Sequence, residues 1–229
     1  MPVIQDDEFG KIVVRRSPRA TQVRLRVAPD GTLRASLPMY APLFLIKRLV
    51  KSSREQLREL RKQSHPVSSY YSGMQIGKSH SLIVVPGNAL SVKREGRQIV
   101  ASLPENLSIE NPVVGQKIRD VVAAALRIEA KSYLPRRLAY IASQHGFSYG
   151  KVRFSHASGR WGSCSAEKTI SLNIALMKLP FELIDYVIIH ELAHTQELNH
   201  STIFWQIVEK ADPLYKEHRR RLKTETPSI

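Results

Sequence analysis

The sequence lacks the features that would place the chain in a membrane or in an oxidising compartment. It has a single cysteine, Cys164, which excludes an internal disulfide. Its longest apolar runs, such as residues 121–126, are far shorter than the roughly 20 residues needed to span a bilayer. Residues 1–8 are acidic and contain no apolar segment of the secretory type. We therefore expect a cytoplasmic protein with no membrane partner.

Acidic residues are scarce relative to basic ones. The 20 Asp and Glu residues face 35 Lys and Arg residues, which leaves a net charge of +15. Such a charge suits an anionic partner (a nucleic acid, a nucleotide or an acidic polypeptide) or simply a solvated basic surface. The sequence has no Gly-rich phosphate loop, so a phosphate site would be built from Arg, Lys and a metal ion. The charge is spread along the chain and identifies no single patch.

The first half of the chain is predicted to be rich in β-strands. Alternating polar and apolar residues predict a β-meander over residues 11–37, with a tight turn at Asp30-Gly31. A single helix is predicted over residues 42–62, and further strands follow it. No internal repeat is evident. The predicted fold class is α+β, with a β-rich N-terminal module in residues 1–110 and a catalytic domain in residues 111–229.

The second half is predicted to be mainly helical. A long helical region covers residues 113–145, with a break expected near Leu134-Pro135. Short strands follow, and Pro180 begins a new helix. Two helices, Thr202–Ala211 and residues 213–222, close the domain.

The motif His190-Glu191-Leu192-Ala193-His194 has the pattern H-E-x-x-H. Residues four apart on a helix lie one turn above each other, so both imidazoles can reach one cation. Glu191 projects close enough to polarise a bound water molecule without ligating the ion. This arrangement is typical of a zinc hydrolase in which the carboxylate is the general base. The alternative is an amphipathic helix whose histidines are ordinary core or surface residues.

His200 is the favoured third ligand, although an unbroken helix would place it off the stripe of the first two histidines. Asn199 suits a left-handed residue at a helix C-terminus, and Ser201 suits the N-cap of a following helix. The metzincin pattern has the same histidine spacing, but it has glycine where this chain has Glu197. The alternative third ligands are two glutamates of the following helices, Glu209 and Glu217.

Three segments of the chain are distinctive together: Arg160-Trp161-Gly162-Ser163-Cys164-Ser165, Ile170-Ser171-Leu172-Asn173, and the H-E-x-x-H motif followed by Asn199-His200-Ser201. With these segments the chain resembles the YgjP-like metallopeptidase family, and more distantly the SprT-like and WLM zincins. The resemblance is strongest over residues 153–222 and extends to residues 15–20 and Asp30-Gly31. It implies a minimal zincin with an active-site helix and a small antiparallel sheet. It also implies a zinc ion held by His190, His194 and His200, with Glu191 as the catalytic residue.

Several residues near the motif have both a structural and a functional interpretation. Trp161 and Cys164 are interpreted as packing residues, although Cys164 as a fourth ligand would make the metal site structural. Arg160 would stabilise an oxyanion, grip a phosphate or form an exposed salt bridge. Asn173 and Asp185 are candidate hydrogen-bond partners of the ligand imidazoles.

Three further assignments concern the surroundings of the motif. Residues 169–175 are interpreted as an edge strand to which a peptide substrate adds. Phe204 and Trp205 are interpreted as a wall behind His200. The other histidines are interpreted as loop or surface residues: His65, His80, His145, His156 and His218.

The sequence therefore predicts a zinc-dependent metallopeptidase in which Glu191 activates the water that hydrolyses a peptide bond. Two alternatives are a metal-dependent hydrolase of nucleotides or another phosphate substrate, and a DNA-associated protease of the SprT-like type. The expected partner is a polypeptide or a small anionic substrate, and the basic charge also suits a nucleic acid.

Overall fold

The chain divides into two units, Met1–Ser69 and Tyr70–Ile229. The computed structural model describes residues 3–18, 20–27, 33–63 and 70–229, so the turn predicted at Asp30-Gly31 lies outside the described residues. The predicted boundary at residue 110 differs from this division. The reason is that Leu82 and Ile99, from the strands before that boundary, are buried in the same core as Ile188 of the H-E-x-x-H helix.

The first unit is a four-stranded sheet with two helices. Its elements are β1 (Val3–Asp6), β2 (Gly10–Ser17), β3 (Arg24–Val27), β4 (Leu33–Pro38), α1 (Phe44–Ser52) and α2 (Arg54–Gln63). The strand order is β1-β2-β4-β3, with an antiparallel pair on each side and a parallel pair, β2 and β4, in the middle. The predicted meander is therefore wrong, because the strands of a meander pair antiparallel with their neighbours in sequence.

Strand alternation gives the first sheet one apolar face. Ile12 and Val14 of β2 are buried with Leu33 of β4, and helices α1 and α2 cover them through Ile46 and Leu57. The helix predicted over residues 42–62 is two helices, because the backbone leaves the helical conformation at Ser53.

The second unit contains two sheets and four α-helices. Its strands are β5 (Gln75–Ile76), β6 (His80–Pro86), β7 (Ser91–Glu95), β8 (Gln98–Leu103), β9 (Val152–Ser155), β10 (Gly162–Cys164) and β11 (Ile170–Asn173). Its helices are α3 (Pro112–His145), a 3-10 helix (Ile174–Lys178), α4 (Phe181–Ala193), α5 (Thr202–Ala211) and α6 (Tyr215–Leu222).

These elements confirm the α+β class. The small sheet has the order β10-β11-β9, in which β10 and β11 are antiparallel and β11 and β9 are parallel. It is therefore a mixed sheet, and the expected antiparallel one is wrong in this respect.

The sheet β5-β6-β8-β7 repeats the topology of the first sheet strand for strand. The registers also correspond, since Ile12 faces Leu33 in one sheet as Leu82 faces Ile99 in the other. The tetrapeptide Ala-Ser-Leu-Pro occupies corresponding positions of the two sheets, at residues 35–38 and 101–104. The expectation of no internal repeat is therefore wrong. Strand pairing reveals the duplication, whereas the strongest sequence match is these four residues.

Helix α3 runs through Pro135, where a break was predicted. Proline removes one backbone donor, and the carbonyl group that loses its partner belongs to Lys131, which lies on the exposed side of the helix. On the opposite side Leu134 and Leu138 are fully buried, and this packing holds the helix together across the proline. None of the helices in the described part of the chain is both long and apolar enough to cross a bilayer.

A buried carboxylate, Glu129 of α3, fixes the turn between β5 and β6. It accepts hydrogen bonds from the backbone N–H groups of Lys78 (2.7 Å) and Ser79 (2.9 Å). It also lies 2.6 Å from Nδ1 of His80, which is buried by this pairing and is not the surface residue we predicted. Burial alone would raise the pKa of Glu129, but these hydrogen bonds hold it below its ordinary value.

The substitution Gly77→Ala tests this turn. Gly77 has φ +61°, and a Cβ atom there would lie 2.2 Å from Oε2 of Glu129. We expect Gly77→Ala to lower the free energy of unfolding by at least about 1–2 kcal/mol more than a substitution that only strains the backbone. The reason is that the buried carboxylate of Glu129 must move. The matched control is Gly96→Ala, where φ is +59° and nothing lies within 4 Å of the added atom, so only left-handed strain of about 1–2 kcal/mol applies. Urea denaturation followed by circular dichroism measures both losses, and equal losses would contradict the role of Glu129.

Candidate metal centre

Helix α4 is buried along most of its length and carries polar residues near its C-terminal end. Ile184, Ile188 and Leu192 are fully buried, so the helix is fixed in the core of the second unit. His190 and Glu191 lie in its last turn, and His194 is the residue at which the helix ends. The rigid core therefore sets the positions of the functional side chains.

The chain reverses directly after α4. The carbonyl of Leu192 accepts two hydrogen bonds from Thr195, one from its backbone N–H at 2.9 Å and one from its hydroxyl at 2.7 Å, and these bonds close the helix end. Ser201 then caps α5 by accepting the N–H of Phe204 at 3.3 Å, as predicted. Asn199 is not a left-handed helix terminus, because outside glycine only Lys168 has a positive φ among the described residues. The reversal returns His200 to the helix end.

Three histidines converge at this reversal. One ring nitrogen from each of His190, His194 and His200 lies within 4.8 Å of the other two. The Nε2 atoms of His190 and His200 are 3.1 Å apart. Nδ1 of His194 lies 3.1 Å from the carbonyl oxygen of Glu197, to which it donates, so the Nε2 atom of His194 keeps its lone pair. Among the described residues, the group that could hold a metal ion consists of these three histidines. It does not include the alternative ligands Cys164, Glu209 and Glu217.

The rings of His190 and His200 favour the neutral state. Burial lowers the pKa of His190 to about 3, with smaller contributions from His194, His200 and Arg219. Burial, His194 and Arg219 also hold the pKa of His200 below its ordinary value. Neutral imidazole is the form that ligates a metal ion. Two facing Nε2 lone pairs can share at most one proton, whereas a cation satisfies both, so these residues fit a metal ion.

An aromatic stack supports His200. The ring of Trp205 stacks on His200 with centroids 5.7 Å apart and an angle of 21°, and Tyr215 stacks on Trp205 at 5.5 Å. The Arg219 guanidinium lies 4.5 Å from the centre of the Trp205 ring. Phe204 contacts His200 edge-on at 4.8 Å. Phe204 and Trp205 therefore form the predicted wall.

Glu191 lies against the strand β10. A Cβ atom on Gly162 would be 2.6 Å from Oε1 and 2.7 Å from Cγ of Glu191, so only glycine permits this approach. Burial raises the pKa of Glu191 to about 8, and the positive charge of Arg160 opposes the rise. A cation at the three histidines would favour the ionised carboxylate. A pocket of about 180 Å³ opens beside it, lined by Trp161, Gly162, Tyr186, Val187, His190, Glu191 and Leu222.

Neither predicted partner of the ligand imidazoles plays that role. The side-chain amide of Asn173 donates to the carbonyls of Ala157 (2.7 Å) and Arg160 (2.9 Å), and so fixes the loop before β10. Asp185 accepts two hydrogen bonds, at 2.7 and 2.6 Å, from Arg137 of α3. Both residues brace the scaffold, because long-range packing placed other polar groups nearer to them.

The sequence analysis missed residues that α6 and α4 bring to the site. Tyr186 lies four residues before His190, with ring centroids 6.1 Å apart, and helical periodicity would have revealed it. Arg219 has no comparable sequence signal, since α6 is separate in the chain. His218, predicted to be a surface residue, is largely buried and lies 2.7 Å from Asp212.

The edge strand beside Glu191 is β10. Residues 170–173 form β11, which pairs with both β10 and β9, so the predicted edge strand is in fact the central one. On the outer face of this sheet, the side chains of neighbouring strands form two rows. One row consists of Ser163, Ser171 and Arg153, and the other of Ser165, Thr169 and Lys151. They line a cleft of about 720 Å³, to which Arg160 also contributes. Hydroxyls and cations thus dominate this surface.

Comparisons with known proteins found a matching family model and a similar solved structure. The sequence model of the family described as "YgjP-like, metallopeptidase domain" matches residues 21–225, a range that includes parts of both units. Among solved structures, the crystal structure of the metallopeptidase zymogen of Pyrococcus abyssi abylysin is similar at 32% identity, over 39% of this chain and 91% of that chain, with a TM-score of 0.37. Among curated proteins, none matches.

The substitution Trp205→Leu tests the support of His200. We expect roughly 10-fold weaker binding of a divalent ion, because the ring that holds the imidazole is lost and its orientation becomes variable. Competition between the protein and a coloured chelator for Zn²⁺ measures the affinity. Ile203→Ala on the same helix is the control, since Ile203 is 60% exposed. An unchanged affinity in Trp205→Leu would show that the stack does not orient His200.

Proposed function

The chain belongs to the YgjP-like metallopeptidase family, and on this premise we propose that it is a zinc-dependent peptidase with Glu191 as its general base. His190, His194 and His200 are the proposed ligands. The observation that carries the proposal is the convergence of these three imidazoles beside a buried carboxylate.

Zinc is proposed because of the donor set. Three neutral imidazoles with a position left for water make up a common catalytic zinc site, whereas Mg²⁺ and Ca²⁺ prefer oxygen ligands. His200 is exposed, so water and substrate have access to the group. No thiol or carboxylate among the described residues joins the three imidazoles to close the site.

The proposed mechanism assigns proton transfer to Glu191. A zinc ion, when bound, lowers the pKa of a water molecule to about 7. Glu191 would accept the proton of the attacking water molecule and would then donate it to the amine nitrogen that leaves. Contact with Gly162 keeps the carboxylate in place during both transfers.

The substrate is proposed to bind as an extended strand along β10. This strand lies at the edge of its sheet and contacts the catalytic carboxylate through Gly162. A peptide that pairs with an edge strand is held by main-chain hydrogen bonds, which position its backbone regardless of sequence. The cleft on the outer face of the sheet would then receive side chains of the bound peptide.

The substitution Glu191→Gln separates metal binding from catalysis. We expect about one zinc ion per chain in the variant, and hydrolysis reduced by roughly 10²–10⁴-fold, because the amide cannot accept the proton. Elemental analysis measures the metal, and cleavage of an unfolded polypeptide measures the activity. The control is Glu209→Gln, an exposed carboxylate on α5 that should leave both unchanged. Full activity in Glu191→Gln would exclude Glu191 as the general base. Loss of zinc in Glu209→Gln would show that Glu209 belongs to the set of metal ligands.

The cleft supports a second candidate function, a metal-dependent hydrolase of nucleotides. Lys151, Arg153 and Arg160 line it together with serine and threonine hydroxyls, and Glu167 is its one acidic residue. Guanidinium and hydroxyl groups are common phosphate ligands. The same three histidines and Glu191 would serve this reaction, with a phosphorus atom as the centre that water attacks.

The double substitution Lys151→Gln and Arg153→Gln distinguishes the two functions. If nucleotides are the substrate, we expect KM for a nucleoside triphosphate to rise at least about 10-fold with kcat little changed, because phosphate contacts formed before the reaction are lost. The control is Lys131→Gln and Arg136→Gln, two exposed cations of α3. Hydrolysis of polypeptide and not of nucleotide by the wild type would eliminate the second candidate.

A further inference from the structure

The outer face of the first sheet is strongly basic. Strand alternation turns one face of the sheet towards α1 and α2, where Ile12 and Leu33 are buried. The other face carries five exposed cationic side chains from three strands, Lys11, Arg15, Arg24, Arg26 and Arg34. No outward-facing position of the described strand residues is acidic.

The strand register brings these charges close together. Arg26 lies directly opposite Arg34, and Ser36 has Arg24 on one side and Arg15 on the other. Like charges directly opposite each other destabilise a sheet, so this arrangement does not serve folding. An anionic partner would remove that repulsion.

The duplicated sheet is an internal control. At the positions that correspond to Lys11, Arg15, Arg24, Arg26 and Arg34, it has Ser81, Val85, Ser91, Lys93 and Val100. Only one of the five is basic, although the topology and register are the same. The fold therefore does not require the arginines, and their presence in one copy points to binding.

Two acidic residues of this unit, Asp6 and Glu8, pair with helix α2. Residues 1–69 contain 14 Lys and Arg residues and 6 Asp and Glu residues, which gives them +8 of the total charge of +15. Glu8 pairs with Arg54 of α2 at 2.8 Å and also binds Arg58, and Asp6 lies 3.2 Å from Arg54. These pairs join the β1–β2 turn to α2, so the carboxylates of Asp6 and Glu8 are engaged away from the basic sheet face.

We propose that this face binds the phosphate backbone of double-stranded DNA without reading its base sequence. Arginine forks bind phosphate oxygens, and a row of cations on neighbouring strands suits a backbone with one charge every few ångströms. Single-stranded bases need aromatic platforms for stacking, and this face has no aromatic residue at its described outward positions. Among the described outward positions only Ser17 and Ser36 carry a hydroxyl, too few for recognition of RNA through its 2′-hydroxyl groups.

The test uses the full chain and short DNA duplexes of two unrelated sequences, with binding followed by fluorescence anisotropy over a range of salt concentrations. Wild type should bind both duplexes equally. The triple variant Arg15→Gln, Arg24→Gln, Arg26→Gln should bind at least about 10-fold more weakly. The slope of log Kd against log salt should fall by about 2–3, since each lost phosphate contact contributes about 0.9.

The matched control is Lys47→Gln, Arg48→Gln, Lys51→Gln on α1. These three side chains are exposed and lie in the same unit as the sheet. Their replacement changes the net charge by the same amount as the sheet variant does. Affinity near that of wild type supports the proposal, whereas a loss equal to that of the sheet variant would show that only net charge matters and would overturn it. Tighter binding of duplex RNA, single-stranded RNA or poly-glutamate than of duplex DNA would also overturn it. Circular dichroism verifies folding, and if the triple variant unfolds, Arg24→Gln alone should lower the slope by about 1.

Discussion

The end of helix α4 at His194 is the constraint on which the metal centre depends. Had the helix continued, His200 would lie on another face and the third imidazole would be out of reach. Thr195 closes the end of α4 with two hydrogen bonds to the Leu192 carbonyl, and Ser201 caps α5 by accepting a backbone N–H that the helix start leaves unpaired. Local backbone satisfaction, rather than attraction among the histidines, thus builds the site.

The site also depends on how its supports are buried. Glu191 carries a pKa raised by burial, and its position is possible because Gly162 offers no side chain. His200 is exposed and gains its order from the stack with Trp205 and Tyr215. The buried carboxylate and the exposed imidazole therefore have different supports: close packing for Glu191 and aromatic stacking for His200.

The duplicated sheets show one topology used in two ways. In the second unit the sheet is joined to α3 through Glu129 and shares one hydrophobic core with α3, α4 and α5. In the first unit the corresponding sheet has its own core and an outer face rich in arginine. Because the buried positions of the two sheets are similar and their outer faces differ, folding alone does not account for the difference in surface charge. These two surfaces are consistent with both proposals, in which the second unit hydrolyses the substrate and the first unit binds a polyanion.

The spacing of residues within one helix or turn was sufficient to predict part of this protein. The H-E-x-x-H pattern, the Ser201 cap, helix α5 and the family resemblance depend on residues close in sequence, and helical periodicity fixes their relative positions. The unit boundary, the parallel pairing of β2 with β4, the edge position of β10 and the roles of Asn173, Asp185 and His80 were decided by the tertiary structure alone. Each depends on which distant segments pair and which polar groups are buried together, and a single sequence does not specify those choices locally.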